Sequence, residues 1–157
     1  PITTMVTARD DAVTESLVED GDRSGLREDV TLPEDPTVYG FGGRVPDWTE
    51  EFRSYVDEIE ADRLKLRYSG AMAADVNQVL VYGGIFGYPM LRDRPEGKLR
   101  LLFEGHPIAN VIETAGGASS TGDGSILDRT PEGLHDRVPL FVGNQSLVKD
   151  LEAALGQ

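Results

Sequence analysis

The stretch from Arg67 to Glu104 collects side chains suited to gripping a phosphate. It runs Arg67-Tyr68-Ser69-Gly70-Ala71-Met72-Ala73-Ala74-Asp75, then Val81-Tyr82-Gly83-Gly84-Ile85-Phe86-Gly87-Tyr88-Pro89, then Gly97-Lys98-Leu99-Arg100-Leu101-Leu102-Phe103-Glu104. Tyrosine hydroxyls donate hydrogen bonds to phosphate oxygens, and an arginine and a lysine add opposite charge. A carboxylate at the start of a helix, as expected for Glu104, is a suitable ligand for Mg2+. Each of these residues also has an ordinary role. Arg67 and Lys98 suit surface ion pairs, and Glu104 suits the positive end of a helix.

Other chemical signals are weaker. Gly40-Phe41-Gly42-Gly43 and Gly83-Gly84-Ile85-Phe86-Gly87 lack the spacing of a dinucleotide or P-loop fingerprint, so they read as turn and close-packing glycines. Gly122-Asp123-Gly124-Ser125 contains an Asp-Gly-Ser triplet, which can hold a metal and a phosphate when a second aspartate lies three residues upstream. Ser120 stands there instead, so a surface turn is expected. His106 and His135 are far apart, and without cysteine they make a poor zinc pair. No signature of a Ser-His-Asp triad is present.

The elements that must position these residues alternate along the chain. Thr3–Thr7 and Ala12–Val18 read as strands around the turn Arg9-Asp10-Asp11. Asp20–Pro36 is polar, with Pro33 and Pro36, and reads as a loop with room for a short helix. Thr37–Phe41 reads as a strand ending at Gly42-Gly43. Asp47–Asp62 is the clearest helix: Asp47 is placed to cap it, Glu50 completes a capping-box spacing, and Trp48, Phe52, Tyr55, Val56 and Ile59 share one face. Ala71–Val81 reads as a helix and Ile85–Tyr88 as a short strand. Leu99–Glu104 fits either type. Pro107 suits the first turn of a helix running to Ala115 and closed by Gly116-Gly117. Val138–Val142 reads as a strand and Ser146–Leu155 as a final amphipathic helix. The pattern predicts an α/β layered domain, with a mixed β-sheet flanked by helices on both faces.

The chain has 157 residues, which fits one domain or part of a larger one. No apolar run approaches the roughly 20 residues of a membrane span. Pro1–Met5 has neither a basic region nor an apolar signal segment, so a cytoplasmic location is expected. The absence of cysteine excludes disulfides, thiol nucleophiles and cysteine-ligated metals. Twenty-eight acidic residues against 15 basic ones give a net charge of −13. That disfavours broad binding to nucleic acid or to an anionic membrane. Only Lys65, Lys98 and Lys149 are lysines, and the other basic residues are arginines. Many short carboxylates with little lysine suit a cytoplasm at molar salt, where screening removes most self-repulsion; an ordinary acidic, soluble protein is the other reading.

Several of these segments, in register, resemble class I fructose-1,6-bisphosphatases. They are Arg67–Asp75, Val81–Pro89, Gly97–Glu104, Ala115-Gly116-Gly117, Ser120-Thr121-Gly122, Ile126-Leu127-Asp128 and His135-Asp136-Arg137-Val138-Pro139. Thr3–Met5 and Thr37–Tyr39 fit the family's strands more loosely. Glu113–Gly117 also resembles the wider inositol-monophosphatase-like superfamily. The resemblance covers the family's C-terminal half. The Asp-Pro-Leu-Asp-Gly-Ser-Ser-type motif and the glutamate pair of the first half have no counterpart here.

The resemblance implies a role for each matching residue. Tyr68, Tyr88 and Lys98 would bind the sugar 6-phosphate and ring, and Met72 would pack near the sugar. Arg67 would reach the 6-phosphate site of a neighbouring subunit, in an expected homo-oligomer. Glu104 would ligate Mg2+ beside carboxylates of the other half. Where the family has an Asn-Glu-Gly-Tyr stretch, this chain has Gly42-Gly43-Arg44-Val45. Arg44 offers a substitute cation or is an ordinary surface arginine. The expected domain is 1–157, acting on fructose 1,6-bisphosphate and binding fructose 6-phosphate, and inactive by itself. The alternatives are a non-catalytic sugar-phosphate-binding or assembly module and part of a sedoheptulose-1,7-bisphosphatase.

Overall fold

The structure is a computed structural model that describes residues 2–62 and 64–156. Three strands come first: β1 (Thr3–Arg9), β2 (Ala12–Glu19) and β3 (Asp22–Arg27), forming an antiparallel sheet in that order. β4 (Val38–Phe41) leads into a 3-10 turn at Val45–Asp47 and then α1 (Glu50–Ala61). There follow β5 (Lys65–Leu66), α2 (Met72–Tyr82), β6 (Gly84–Tyr88) and β7 (Leu99–Arg100). A wide π-helical turn (Leu101–Gly105) runs into α3 (His106–Thr114). β8 (Ala118–Ser120), a 3-10 turn at Ile126–Asp128, β9 (Arg137–Val138), β10 (Leu140–Gly143) and α4 (Gln145–Leu155) complete the chain.

The main sheet has five strands in the order β5-β4-β6-β10-β8. β5, β4 and β6 run parallel, whereas β10 is antiparallel to both β6 and β8. The mixed sheet is therefore parallel on one side and antiparallel on the other. Alternate strand residues face opposite helical layers, as the two-residue period of a strand requires. Tyr39, Phe41, Ile85 and Phe141 pack with Phe52, Tyr55, Val56 and Ile59 of α1 and Leu147, Val148 and Leu151 of α4. Phe86, Tyr88, Leu140 and Val142 pack with Val76, Val79 and Leu80 of α2 and Ala109 and Ile112 of α3. Val13 joins that second cluster, with Val6 and Ala8 packed against it, so the N-terminal sheet is fastened over α3. The layered α/β arrangement is the one the alternation of elements predicts.

Several local expectations are corrected. Asp20–Pro36 is not simply a loop, because Asp22–Arg27 pairs with β2. Its residues are all exposed, so no alternation marks it. α1 starts at Glu50 and is capped by Thr49, whose hydroxyl accepts the Phe52 N–H; Asp47 lies in the preceding 3-10 turn, where Pro46 sits at an early position. Val138–Val142 is two strands, broken at Pro139. Leu99–Glu104 is both types in succession, a two-residue strand and then the π-helical turn.

Candidate functional site

Three neighbouring parallel strands, β5, β4 and β6, end at one edge of the sheet. In open α/β sheets the carboxyl ends of parallel strands leave a crevice where ligands bind. Here Tyr68 follows β5 by two residues, Gly42-Gly43-Arg44 follows β4, and Tyr88 is the last residue of β6. Together with Asp47, Pro89, Leu91, Asp93, Arg94 and Lys98 they line a cleft of about 410 Å3.

Tyr88 forms the floor. Its ring is buried and stands edge-on to Phe86, with centroids 5.7 Å apart. A Cβ on Gly42 would fall inside the space of that ring, so glycine is what lets the end of β4 lie against it. The hydroxyls of Tyr68 and Tyr88 are 3.1 Å apart, close enough for one to donate to the other. Burial, then the Tyr68 hydrogen bond and the nearby charges of Asp75 and Glu104, push the Tyr88 phenol well above the ordinary tyrosine range. Tyr88 is therefore a neutral donor at any physiological pH.

Lys98 enters from the opposite wall. Its Nζ lies 5.4 Å from the centroid of the Tyr88 ring, within cation–π range. Its backbone is fixed from three sides. Gly97 adopts φ +80° and abuts the Val138–Pro139 backbone, the Arg137 guanidinium donates to the Lys98 carbonyl, and β7 pairs with β9 immediately afterwards. Among the described residues Lys98 has no ion-pair partner, and neither do Arg44 and Arg67. Two hydroxyls and the cations of Arg44, Arg94 and Lys98 thus share one opening in a chain of net charge −13. Such an arrangement can accept a small dianion.

Comparison with known proteins decides the family. The family described as "Fructose-1-6-bisphosphatase, C-terminal domain" matches residues 32–156. The chain is 67% identical over 156 residues to a class 1 fructose-1,6-bisphosphatase of Natronomonas pharaonis, covering 99% of this chain and 55% of that protein. It is 61% identical over 155 residues to one from Halobacterium salinarum, covering 99% and 54%, and 60% identical over 153 residues to one from Haloarcula marismortui, covering 98% and 52%. This chain belongs to the class 1 fructose-1,6-bisphosphatase family. It spans about half the length of these curated relatives, which come from halophilic archaea, as its acid-rich and lysine-poor composition suggests.

The remaining residues that the fructose-1,6-bisphosphatase resemblance singles out lie outside the cleft. Arg67 precedes Tyr68, is exposed, and bonds its Nη1 back to the Leu66 carbonyl at 2.9 Å. Met72 begins α2 and packs half-buried against the α2–α3 side of the core. Glu104 sits in the π-helical turn, where its Oε2 accepts the Arg100 N–H at 2.8 Å and the Arg100 Nε at 3.4 Å. That bond caps the turn, much as a capping-box glutamate does. Among the described residues no three acidic or histidine side chains come together as a metal site. Glu104 by itself therefore does not fit a complete Mg2+ centre, although its Oε1 takes no hydrogen bond from the described residues.

Sequence reading missed three parts of this site. Arg94 and Asp93 lie in the segment between Tyr88 and Lys98, where an Asp-Arg-Pro run signals only a turn. Asp75 is the third. It is 2% exposed, and its Oδ1 accepts the Ser69 N–H at 2.8 Å. It ties the segment carrying Tyr68 to the first turn of α2. Its other oxygen has no hydrogen-bond partner among the described residues. The signal available was its place in the first turn of a helix, among apolar neighbours.

Proposed function

We propose that this chain is the sugar-phosphate-binding part of a Mg2+-dependent fructose-1,6-bisphosphatase, an enzyme that removes the 1-phosphate of fructose 1,6-bisphosphate in gluconeogenesis. The observation that supports this most is the meeting of Tyr68, Tyr88 and Lys98 in one cleft. The cleft takes the 6-phosphate, which the reaction leaves in place. Lys98 supplies charge and three donors, and the tyrosine pair supplies at least one O–H to a phosphate oxygen. Arg44 reaches the same anion from the β4 side. Fixing the phosphate that stays orients the one that leaves, so binding energy at a remote group lowers the barrier at the reacting one.

Residues 1–157 act as one domain in this reading. Met72 supports the sugar side, and Arg67, outside its own cleft, serves the equivalent cleft of a neighbouring copy in a homo-oligomer. Glu104 contributes a single carboxylate to a Mg2+ site whose other ligands come from beyond this chain. Bound Mg2+ supplies charge neutralisation at the leaving phosphate. The strong negative charge fits a cytoplasmic enzyme that avoids nucleic acid and membranes; among the described residues no helix is long and apolar enough to cross a membrane.

The test uses the complete protein, with fructose 1,6-bisphosphate and Mg2+ in high salt. Release of fructose 6-phosphate and inorganic phosphate is expected, and this chain alone should show no turnover. Glu104→Gln should lower turnover far more than affinity for fructose 6-phosphate. Equal loss of both would reduce Glu104 to its capping role at Arg100. Binding of fructose 6-phosphate without hydrolysis of any sugar bisphosphate would favour a non-catalytic binding module instead.

A further inference from the structure

We infer that Arg94 is a phosphate-binding residue of this cleft, one that selects doubly charged phosphate monoesters over singly charged or neutral ligands. The inference rests on the proposed function of the cleft and adds a residue that neither the sequence motifs nor the family match assigns. Three observations support it. First, Arg94 lines the cleft with Arg44, Lys98, Tyr68 and Tyr88.

Second, its charge is uncommitted. Arg92, Arg100 and Arg129 each meet a carboxylate, but among the described residues Arg94 has none within ion-pair distance. Asp47 and Asp93 line the same cleft without pairing to it. Other described cations of this chain are also unpaired, but here three of them, Arg44, Arg94 and Lys98, line one cleft.

Third, its backbone is held in place before any ligand arrives. The Arg94 N–H donates to the Leu91 carbonyl at 3.0 Å, and the Arg94 carbonyl accepts from Leu91 at 3.1 Å and from Gly97 at 3.2 Å. This tight turn is fastened to the segment that leads into α1. The Arg92 N–H donates to the Asp47 carbonyl and Arg92 Nε to the Trp48 carbonyl, both at 2.9 Å. A side chain on a pinned turn loses less freedom on binding than one on a loose loop. Its planar fork presents two parallel N–H donors to two phosphate oxygens, a fixed geometry that neither the ammonium of Lys98 nor a tyrosine hydroxyl offers.

A phosphate monoester gains its second charge around pH 6. Binding at a three-cation cleft should therefore tighten as pH rises through that value, and Arg94 should carry part of the gain. The experiment measures fructose 6-phosphate and inorganic phosphate binding to the complete protein, at several pH values and salt concentrations. Trp48 is the only tryptophan of this chain and packs beside the cleft, so where the complete protein adds no others its fluorescence reports whether this wall stays folded.

Arg94→Gln should weaken both ligands by about tenfold or more. It should also flatten the pH dependence of fructose 6-phosphate binding near 6 and make affinity less sensitive to salt, at an unchanged unfolding midpoint. Arg94→Lys should recover part of the loss. Wild-type affinity in Arg94→Gln, alongside weakened binding in Lys98→Ala, would overturn the role of Arg94 and leave the cleft reading standing. Wild-type affinity in both variants would overturn the cleft reading itself. Equal losses in Arg94→Gln and Arg94→Lys, with a lowered unfolding midpoint, would make Arg94 a structural support of the turn and also overturn the inference.

Discussion

Among the clefts of similar size that the described residues form, two differ most in charge. The one between α1 and α4, about 500 Å3, is lined by Glu50, Glu51, Glu58, Asp62 and Asp150. The one at the ends of β4, β5 and β6, about 410 Å3, is lined by Arg44, Arg94 and Lys98 with two tyrosines and two aspartates. The acidic cleft also holds a tyrosine, but the Tyr55 hydroxyl is spent on the Leu147 carbonyl at 2.9 Å. Burial, followed by the charges of Asp150 and Glu58, drives the Tyr55 phenol upward as well. Both clefts thus hold a neutral buried phenol, yet only one leaves an O–H and cations free for an anion. Volume does not separate them; unspent donors and positive charge do. In a chain of net charge −13 the acidic cleft is the average surface and the cationic one the departure from it.

The comparison assigns stability to one side and binding to the other, and substitutions can break that division. The largest effect is expected at Phe52, fully buried in the core that α1 and α4 form with the sheet, and in edge contact with Phe41 and Trp48. Phe52→Ala should cost about 3–5 kcal/mol of stability. Denaturant unfolding at fixed salt measures it, and a cost under 1 kcal/mol would contradict the packing described. Gly42→Ala comes next, because the new methyl meets the Tyr88 ring. Overpacking of this kind costs about 1–3 kcal/mol. It should weaken fructose 6-phosphate binding as well as stability, and a loss of stability with unchanged affinity would detach Tyr88 from the site.

Smaller effects sharpen the contrast. Tyr68→Phe removes one hydroxyl of the pair and should weaken fructose 6-phosphate binding by roughly two- to twelvefold, from the usual 0.5–1.5 kcal/mol of a hydrogen bond. Glu58→Gln in the acidic cleft should leave that affinity within about twofold at high salt, since screening there acts over only a few ångströms. The pH dependence of stability has a definite sign. Tyr39, Tyr55 and Tyr88 all have phenol pKa values raised in the folded chain by burial first. The folded state then holds protons that the unfolded chain releases from about pH 10. Their contribution is complete below that pH and declines as pH climbs above it. A stability curve flat from pH 9 to 12 would contradict the burial of these rings.

The layered fold was legible because Trp48, Phe52, Tyr55, Val56 and Ile59 repeat at helical spacing and the short apolar strands are bounded by glycine pairs. β3 was not, because Asp22–Arg27 is exposed throughout and is a strand only through its ladder to β2. β8 was hidden for the opposite reason: Ala118-Ser119-Ser120 is largely buried but too small and polar to look apolar. The cap of α1 moved from Asp47 to Thr49 because a 3-10 turn with Pro46 takes up the intervening residues. In the site, Tyr68, Tyr88 and Lys98 stood out through family resemblance, and their distance in sequence gave no direct sign that they meet. Arg94 left no trace, since a turn arginine looks the same whether its charge is spent or free. Only the placement of surrounding carboxylates distinguishes the two cases.

Lys98 is the cation at the centre of the cleft: its ammonium stands over the Tyr88 ring with no carboxylate to neutralise it among the described residues. The direct measurement is fructose 6-phosphate affinity of the complete protein and its Lys98→Ala variant, at one fixed, high ionic strength. A hydrogen bond to a charged group is worth roughly 1.5–3 kcal/mol, so the variant should bind about one to two orders of magnitude more weakly. Lys98→Arg should restore only part of that, because a planar fork does not occupy the position of a compact ammonium. Unchanged affinity in Lys98→Ala would contradict the assignment of this cleft to the retained phosphate.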